Sequence, residues 1–205
     1  MTSMHVPEAR LGIPTSYPVH DSRGWRNEEA LTKADIVVFG DSQTYGLNVP
    51  YISGALRTVL SPAYHLLAET KQDPRVTEGR RINLLALNHI FGKTKDVGAA
   101  FYVVLIPTKE LAFRTSARAV LKNEPYLNEL WDEELGARAE AIRYLSDRGI
   151  RVIDTLPNLE ALIHAGVNPY KQSHDVSMDD ADGHPVPAGY AAIAGAVADV
   201  LTRGR

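Results

Sequence analysis

The stretch ADIVVFGDSQTYG, residues 34–46, decides the fold of this chain. Its first six residues form a short run that is rich in β-branched and aromatic side chains, and Gly40 ends the run. Bounded apolar runs of this kind are typical of strands that are buried on both faces of a parallel sheet. We therefore predict a strand over residues 34–39, followed by a polar turn.

Two further stretches have the same character. AFYVVLI spans residues 100–106 and is ended by Pro107, and IRVI spans residues 150–153 and is ended by an Asp-Thr pair. All three runs precede polar turns and then helical patterns, as in βαβ units. The prediction is an α/β fold, a three-layer sandwich around a mainly parallel, flavodoxin-like sheet. Because the segment between Ser42 and Gly98 offers no other convincing strand, we expect that sheet to be shortened.

Three longer segments have helical periodicity. Residues 76–93 place apolar side chains on one face, at Ile82, Leu85 and Ile90. Residues 123–148 repeat apolar side chains at spacings near three and four, and Gly149 follows where a C-terminal cap belongs. Residues 187–202 are Ala-rich and begin with a proline, which suits the first turn of a helix.

Residues 51–69 are apolar but are interrupted by Gly54 and Pro62, so we expect one or two short helices there. Residues 1–30 are rich in Pro, Ser, His and charged side chains without any period, which predicts an extended N-terminal arm. The remaining residues, 31–205, are predicted to form a single α/β domain, because a chain of 205 residues is long enough for one sizeable core.

Composition and charge exclude several classes of protein. Lys and Arg total 22 against 25 Asp and Glu, so a net charge of −3 offers no positive field to attract nucleic acid. Cysteine is absent, which excludes disulfides, thiolate metal sites and cysteine nucleophiles. The longest apolar run, residues 99–106, is too short for a transmembrane segment, and the N-terminus does not resemble a signal peptide. The default expectation is a cytoplasmic protein, or an extracytoplasmic one if the chain is part of a longer anchored protein.

The turn after the first predicted strand carries a candidate nucleophile. Ser42 would lie at the carboxyl edge of the sheet, where open α/β folds bind ligands. Its backbone N–H would stabilise an oxyanion if a helix follows, although a serine in this position also serves simply as a helix cap. A serine needs a base, and DDADGHPVPAGY, residues 179–190, supplies one: Asp182 could orient His184, which would accept the Ser42 proton.

These two blocks carry a resemblance to a known family. GDSQTYG, residues 40–46, resembles the G-D-S-x-T-x-G block of the SGNH (GDSL-type) esterases and acyltransferases, and DGHPVPAGY, residues 182–190, is similar to the family's closing D-x-x-H-P-N-x-x-G-Y block. The resemblance implies an SGNH-like fold with Ser42 as nucleophile and first oxyanion donor and His184 as general base. GWRN, residues 24–27, and PTK, residues 107–109, are reminiscent of the polysaccharide O-acetylation branch.

The chain departs from the family pattern at several positions. The family acid usually stands three residues before the histidine, where this chain has Ala181. Asp182 matches the D-x-H spacing of the O-acetylation relatives and is our first choice, with Asp180 as the second. The family's second and third blocks, which complete the oxyanion hole with a glycine and an asparagine, are not found. The candidates for further contacts to the oxyanion or the substrate are Gly46, Asn48, Tyr45 and Lys109.

Other site types were weighed against this interpretation. A His/Asp metal site would draw on residues 174–184, but the calcium-loop spacing fails there, and no metal or other cofactor is predicted. A phosphate loop at residues 92–94 (GKT) lacks the required glycine five positions earlier, and residues 40–46 do not match the dinucleotide fingerprint.

The predicted function is that of a serine hydrolase acting on ester bonds of a small molecule or carbohydrate, as an esterase or by O-acyl transfer. The alternative is an SGNH-like binding or structural module with weak or no catalysis, because two oxyanion blocks are missing.

Overall fold

The computed structural model describes residues 49–53, 56–60, 66, 69–170 and 183–203. The chain divides into two compact units, Met1–Asp41 and Ser42–Arg205, and all of the described residues belong to the second unit. The predicted strand over residues 34–39 and all of the predicted N-terminal arm therefore lie outside the described residues.

Helices and strands are mixed in the described part of the chain, in agreement with the predicted α/β class. The strands are β1 (Val49–Ser53), β2 (Leu56–Leu60), β3 (Tyr102–Leu105) and β4 (Arg151–Asp154). The helices are α1 (Pro74–Asp96), α2 (Lys109–Ala112), α3 (Arg114–Ala117), α4 (Pro125–Ser146), α5 (Leu156–His164) and α6 (Pro187–Arg203).

Strands β3 and β4 are parallel neighbours, which confirms two of the three predicted strands. Their register runs from Tyr102 opposite Arg151 to Leu105 opposite Asp154, and α4 lies in the connection between them. Parallel strands need a crossover of this kind, because the chain must return to the same end of the sheet. The carboxyl ends of both strands therefore lie side by side at one edge.

Residues 51–53 and 56–60, in the first part of the segment that was predicted to form one or two short helices, belong instead to a hairpin, so that prediction was wrong there, as was the expectation of no further strand before Gly98. In the rest of the segment, the described residues Leu66 and Glu69 are helical. Strands β1 and β2 pair antiparallel, with Tyr51 opposite Thr58, in a sheet separate from β3 and β4. β-branched and aromatic residues favour such cross-strand pairing. Gly54, which we interpreted as an interruption of a helix, falls between the two strands.

The three long predicted helices are confirmed as α1, α4 and α6. The Asp73 side chain accepts a hydrogen bond from the Arg75 amide at 2.8 Å and so caps α1. Gly149 follows α4 with a φ of 74°, the left-handed conformation that favours glycine.

The orientation of α1 differs from the expectation of a buried face at Ile82, Leu85 and Ile90. These side chains are 52%, 45% and 37% exposed. The residues that α1 packs inward are instead Leu84, Leu87 and Phe91, which lie against a cluster around Val103, Leu145 and Ile150.

The larger core cluster joins the hairpin, the short helices and helices α4, α5 and α6. Its most enclosed members are Leu60, Leu111, Phe113, Leu127, Trp131, Leu159 and Tyr170. Among the helices of the described residues, none has the length and apolar character that a membrane span requires.

Candidate active site

The structure describes two of the residues predicted for the site, His184 and Lys109. Ser42, Gly46, Asn48, Asp182 and the second-choice acid Asp180 lie outside the described residues, as does Tyr45. Of the acidic and histidine residues weighed as metal ligands, only His184 is described. The described residues contain no group of three or more His, Asp or Glu side chains arranged to hold a metal ion.

His184 is half-buried in a short segment that leads into α6. Pro185, the next residue, forms an antiparallel bridge with Tyr170. The Val186 amide donates a hydrogen bond to the Pro169 carbonyl at 2.9 Å. Gly189, in the first turn of α6, lies very close to Pro169. A Cβ added at Gly189 would be 2.3 Å from the Pro169 carbonyl oxygen, so only glycine fits there. His184 is thus held by contacts on its C-terminal side to the segment around Tyr170.

Tyr170 in turn connects this segment to the end of β3. Its side chain is 1% exposed, and its hydroxyl donates a hydrogen bond to the Pro107 carbonyl at 3.4 Å. Its ring packs against Phe113, with the ring centroids 6.2 Å apart. Burial, followed by the negative charges of Glu110 and Glu134, raises the pKa of Tyr170, so the hydroxyl keeps its proton and remains a donor.

The turn of Asn168 supports the same connection. Its side-chain oxygen accepts a hydrogen bond from the Tyr170 amide at 2.9 Å, the geometry of an Asx turn. Asn168 therefore acts as a turn residue that positions Tyr170.

The carboxyl ends of β3 and β4 converge on one carbonyl oxygen. The Leu105 carbonyl accepts hydrogen bonds from the Thr155 amide at 3.1 Å, the Thr155 hydroxyl at 3.0 Å and the Arg138 guanidinium at 3.3 Å. Arg138 also forms a salt bridge with Asp154, the last residue of β4. One arginine from α4 therefore ties the two strand ends together.

Glu134, one turn before Arg138 on α4, holds the turn after β3. Its carboxylate accepts hydrogen bonds from the Thr108 amide at 2.9 Å and from the Thr108 hydroxyl. The Thr108 hydroxyl oxygen also accepts from the Leu111 amide at 3.1 Å and so caps α2. A single buried carboxylate thereby fixes the residues between β3 and α2.

The environment of Glu134 brings its titration close to neutrality. Burial raises its pKa from 4.5 to about 7, against the opposing effect of the Thr108 hydrogen bonds. The negative charge of Glu69 adds to the increase, and the positive charge of Arg138 reduces it. The fold therefore retains the Glu134 proton to a higher pH than an exposed glutamate would.

Lys109 stands where it was predicted, directly after the turn that follows β3, but its side chain is 2% exposed. In this structure it is buried rather than lining an open mouth, and its contact with substrate stays a prediction. Glu110 beside it is also fully buried, and its carbonyl accepts a hydrogen bond from the Trp131 indole at 2.9 Å.

Sequence reasoning missed Glu134 and Arg138, although a signal was present. Both lie in the buried stripe of α4, whose other members are Leu127, Leu130, Trp131 and Leu145. A charged residue at a position where the helical period requires an apolar one indicates a buried polar contact, because an unpaired buried charge is too costly to retain.

No family model, no curated protein and no solved structure matches the chain.

Proposed function

We propose that this protein is a serine hydrolase of the SGNH type that acts on ester bonds, with Ser42 as nucleophile, His184 as general base and Asp182 as the acid that orients it. The proposal includes the finer architecture, a three-layer sandwich around a mainly parallel sheet. The substrate class is a small-molecule or carbohydrate ester.

One observation carries the proposal. The segment of His184 is tied through the Tyr170–Pro185 bridge and the Tyr170–Pro107 hydrogen bond to the turn at the carboxyl end of β3. Open α/β folds bind their ligands at the carboxyl edge of the sheet. The proposal requires the Ser42 hydroxyl to reach the His184 ring at this edge.

The proposed reaction proceeds in two steps. The Ser42 hydroxyl oxygen attacks the acyl carbon, and its proton passes to the His184 ring, while the Ser42 amide stabilises the oxyanion. The proton then passes to the leaving alcohol, whose ester bond breaks, and an acyl-serine remains. Water, or a carbohydrate hydroxyl, releases the acyl group by the same proton transfers in reverse.

Covalent labelling with a fluorophosphonate probe tests the nucleophile. The wild-type protein should be labelled and Ser42→Ala should not, because the probe reacts with activated serines. Ser146→Ala, at an exposed serine at the end of α4, is the matched control and should label like the wild type. Equal labelling of the Ser42→Ala variant would remove Ser42 from the mechanism.

Turnover of short-chain aryl acetates tests the base and the acid. His184→Ala should lower kcat by at least about a thousand-fold, as loss of a triad member does. Asp182→Asn should lower it more than Asp180→Asn if Asp182 orients the histidine. Survival of full turnover in His184→Ala would place the base elsewhere.

One observation favours the alternative function, a binding or structural module without catalysis. The segment after Val49, where further family blocks would follow strands, forms the antiparallel β1–β2 hairpin rather than extending the β3–β4 sheet. A protein that unfolds cooperatively but neither labels nor turns over any ester would support this alternative. The labelling experiment therefore separates the two functions.

A further inference from the structure

Helix α1 has a second face, opposite the one that packs against Val103, Leu145 and Ile150. We call it the outer face of α1 and define it by eight residues whose spacing alternates between three and four, apart from one adjacent pair. All eight are exposed, and they are Arg75, Glu78, Ile82, Leu85, Ala86, His89, Lys93 and Asp96. At 3.6 residues per turn this spacing keeps them in one stripe along the helix.

The outer face has the composition of an interface between helices. Ile82 and Leu85 are exposed large apolar side chains at its centre, and Ala86 beside them is small enough to let a second helix approach closely. The charged residues lie at the two ends. An apolar centre between charged ends is the pattern of helices that pair in water.

The order of the charges indicates which partner fits. Suppose that two copies of α1 pack antiparallel about a two-fold axis that passes between Leu85 and Ala86. A residue on one side of this point then faces the residue of the other copy that lies equally far along the helix on the other side. Glu78 then faces Lys93 of the other copy, and Arg75 faces Asp96. Each pair joins opposite charges, and the symmetry forms each pair twice.

The centre of the pairing is consistent with the same axis. Ile82 faces His89 of the other copy, and each Leu85 lies beside the Leu85 of the other copy. The eight residues of the face include two basic and two acidic ones, so their charges balance. We infer that the outer face of α1 is a self-complementary surface through which two copies of this chain form an antiparallel homodimer.

The existing ion pairs of α1 are compatible with this dimer. Arg81 holds Glu78 at 2.6 Å, and Arg75 holds Asp73 at 2.6 Å, but these pairs are largely exposed and contribute little to stability. In the dimer, Glu78 can retain its ion pair with Arg81 at the rim of the interface and form a second ion pair with Lys93 of the other copy. One helix pair is smaller than a standard interface, so we expect a dimer that dissociates on dilution and weakens as salt screens its charges.

Sedimentation velocity over a wide range of protein concentrations tests the dimer. The wild type should shift from monomer to dimer as its concentration rises. Leu85→Glu places two carboxylates beside each other at the axis and should raise the dissociation constant by at least about tenfold. Val120→Glu, at a side chain that is 56% exposed elsewhere in the chain, is the control and should dimerise like the wild type.

Charge reversal tests the antiparallel arrangement. Glu78→Lys alone and Lys93→Glu alone should each weaken the dimer, because each variant opposes like charges, and the double variant should restore it. An unchanged thermal midpoint in each variant, measured at a concentration at which the wild type is monomeric, shows that the monomer is intact. A wild type that stays monomeric throughout, or a double variant as weak as the single variants, would overturn the proposal.

A disulfide provides a second readout, since the chain contains no cysteine of its own. Ala86→Cys, next to the axis, should form a disulfide-linked dimer on mild oxidation, while Ala139→Cys, exposed on α4, should stay monomeric. Equal cross-linking of the two variants would contradict the interface.

Discussion

Helices α1 and α4 are of nearly equal length, 23 and 22 residues, but they differ in which kinds of side chain they bury and which they expose. In α4 the inward stripe is fully buried and includes the charged residues Glu134 and Arg138. Helix α1 has no fully buried residue, and it exposes Ile82 and Leu85. The buried face of α4 thus carries charged residues, and the exposed face of α1 carries apolar ones. Periodicity alone therefore does not reveal which face of a helix meets the core.

The difference follows from what each helix contacts. The α4 stripe meets the larger core cluster and the ends of β3 and β4, where backbone groups and Asp154 give its charges partners. Helix α1 meets the smaller cluster through one side only. A buried charge is retained where it is hydrogen-bonded, whereas the apolar side chains on the outer face of α1 are exposed in the monomer.

The same substitution in the two helices should give the largest contrast. Leu127→Ala in α4 removes a fully buried side chain and should lower the free energy of unfolding by about 3 to 5 kcal/mol. Leu85→Ala on the outer face of α1 should lower it by less than about 1 kcal/mol. Urea unfolding at low protein concentration measures both variants. Equal losses would show that the outer face is covered within the monomer.

Two glutamates sharpen the comparison through pH. Burial raises the pKa of Glu134 to about 7, whereas the Arg81 hydrogen bond lowers the pKa of Glu78 below its ordinary value. Because folded Glu134 holds its proton more tightly than the unfolded chain does, its contribution to stability is complete below pH 4.5 and is lost as pH rises to about 7. A shift of this size corresponds to about 3 kcal/mol.

Glu134→Gln isolates that contribution, because glutamine still accepts the Thr108 amide hydrogen bond but does not ionise. Relative to the wild type, this variant should gain up to about 3 kcal/mol in stability as pH rises through the window. Glu78→Gln is the control, and it should show no such gain. A parallel pH dependence in Glu134→Gln and the wild type would rule out an elevated pKa at Glu134.

Substitution of the glycines that follow the two helices should have the smallest effect on stability, and the effect should be the same for both helices. Gly98 follows α1 with a φ of 68°, and Gly149 follows α4 with a φ of 74°. Alanine at either position should cost about 1 kcal/mol, because the left-handed conformation is strained for any residue with a Cβ. Thermal melts of both variants measure this cost. A much larger loss at one glycine would indicate contacts beyond the local turn.

Part of the candidate site was accessible from the sequence, and part was not. The position of His184 before a helix and that of Lys109 after a strand were predicted from short motifs and are confirmed, while their roles in a site stay predictions. The role of Tyr170 was not predicted, since its link to Pro107 spans 63 residues of sequence and leaves no local pattern. The hairpin was missed because short apolar runs do not distinguish strand from helix by period alone.

The sequence by itself determined that β3, β4, α1, α4 and α6 exist, because apolar period, prolines at helix starts and glycines at helix ends act over a few residues. Only the tertiary structure decided that Glu134 and Arg138 are buried, that Ile82 and Leu85 are exposed, and that the His184 segment lies beside the turn after β3. These outcomes depend on contacts between residues far apart in the chain, and the free energy of burial is set by those contacts.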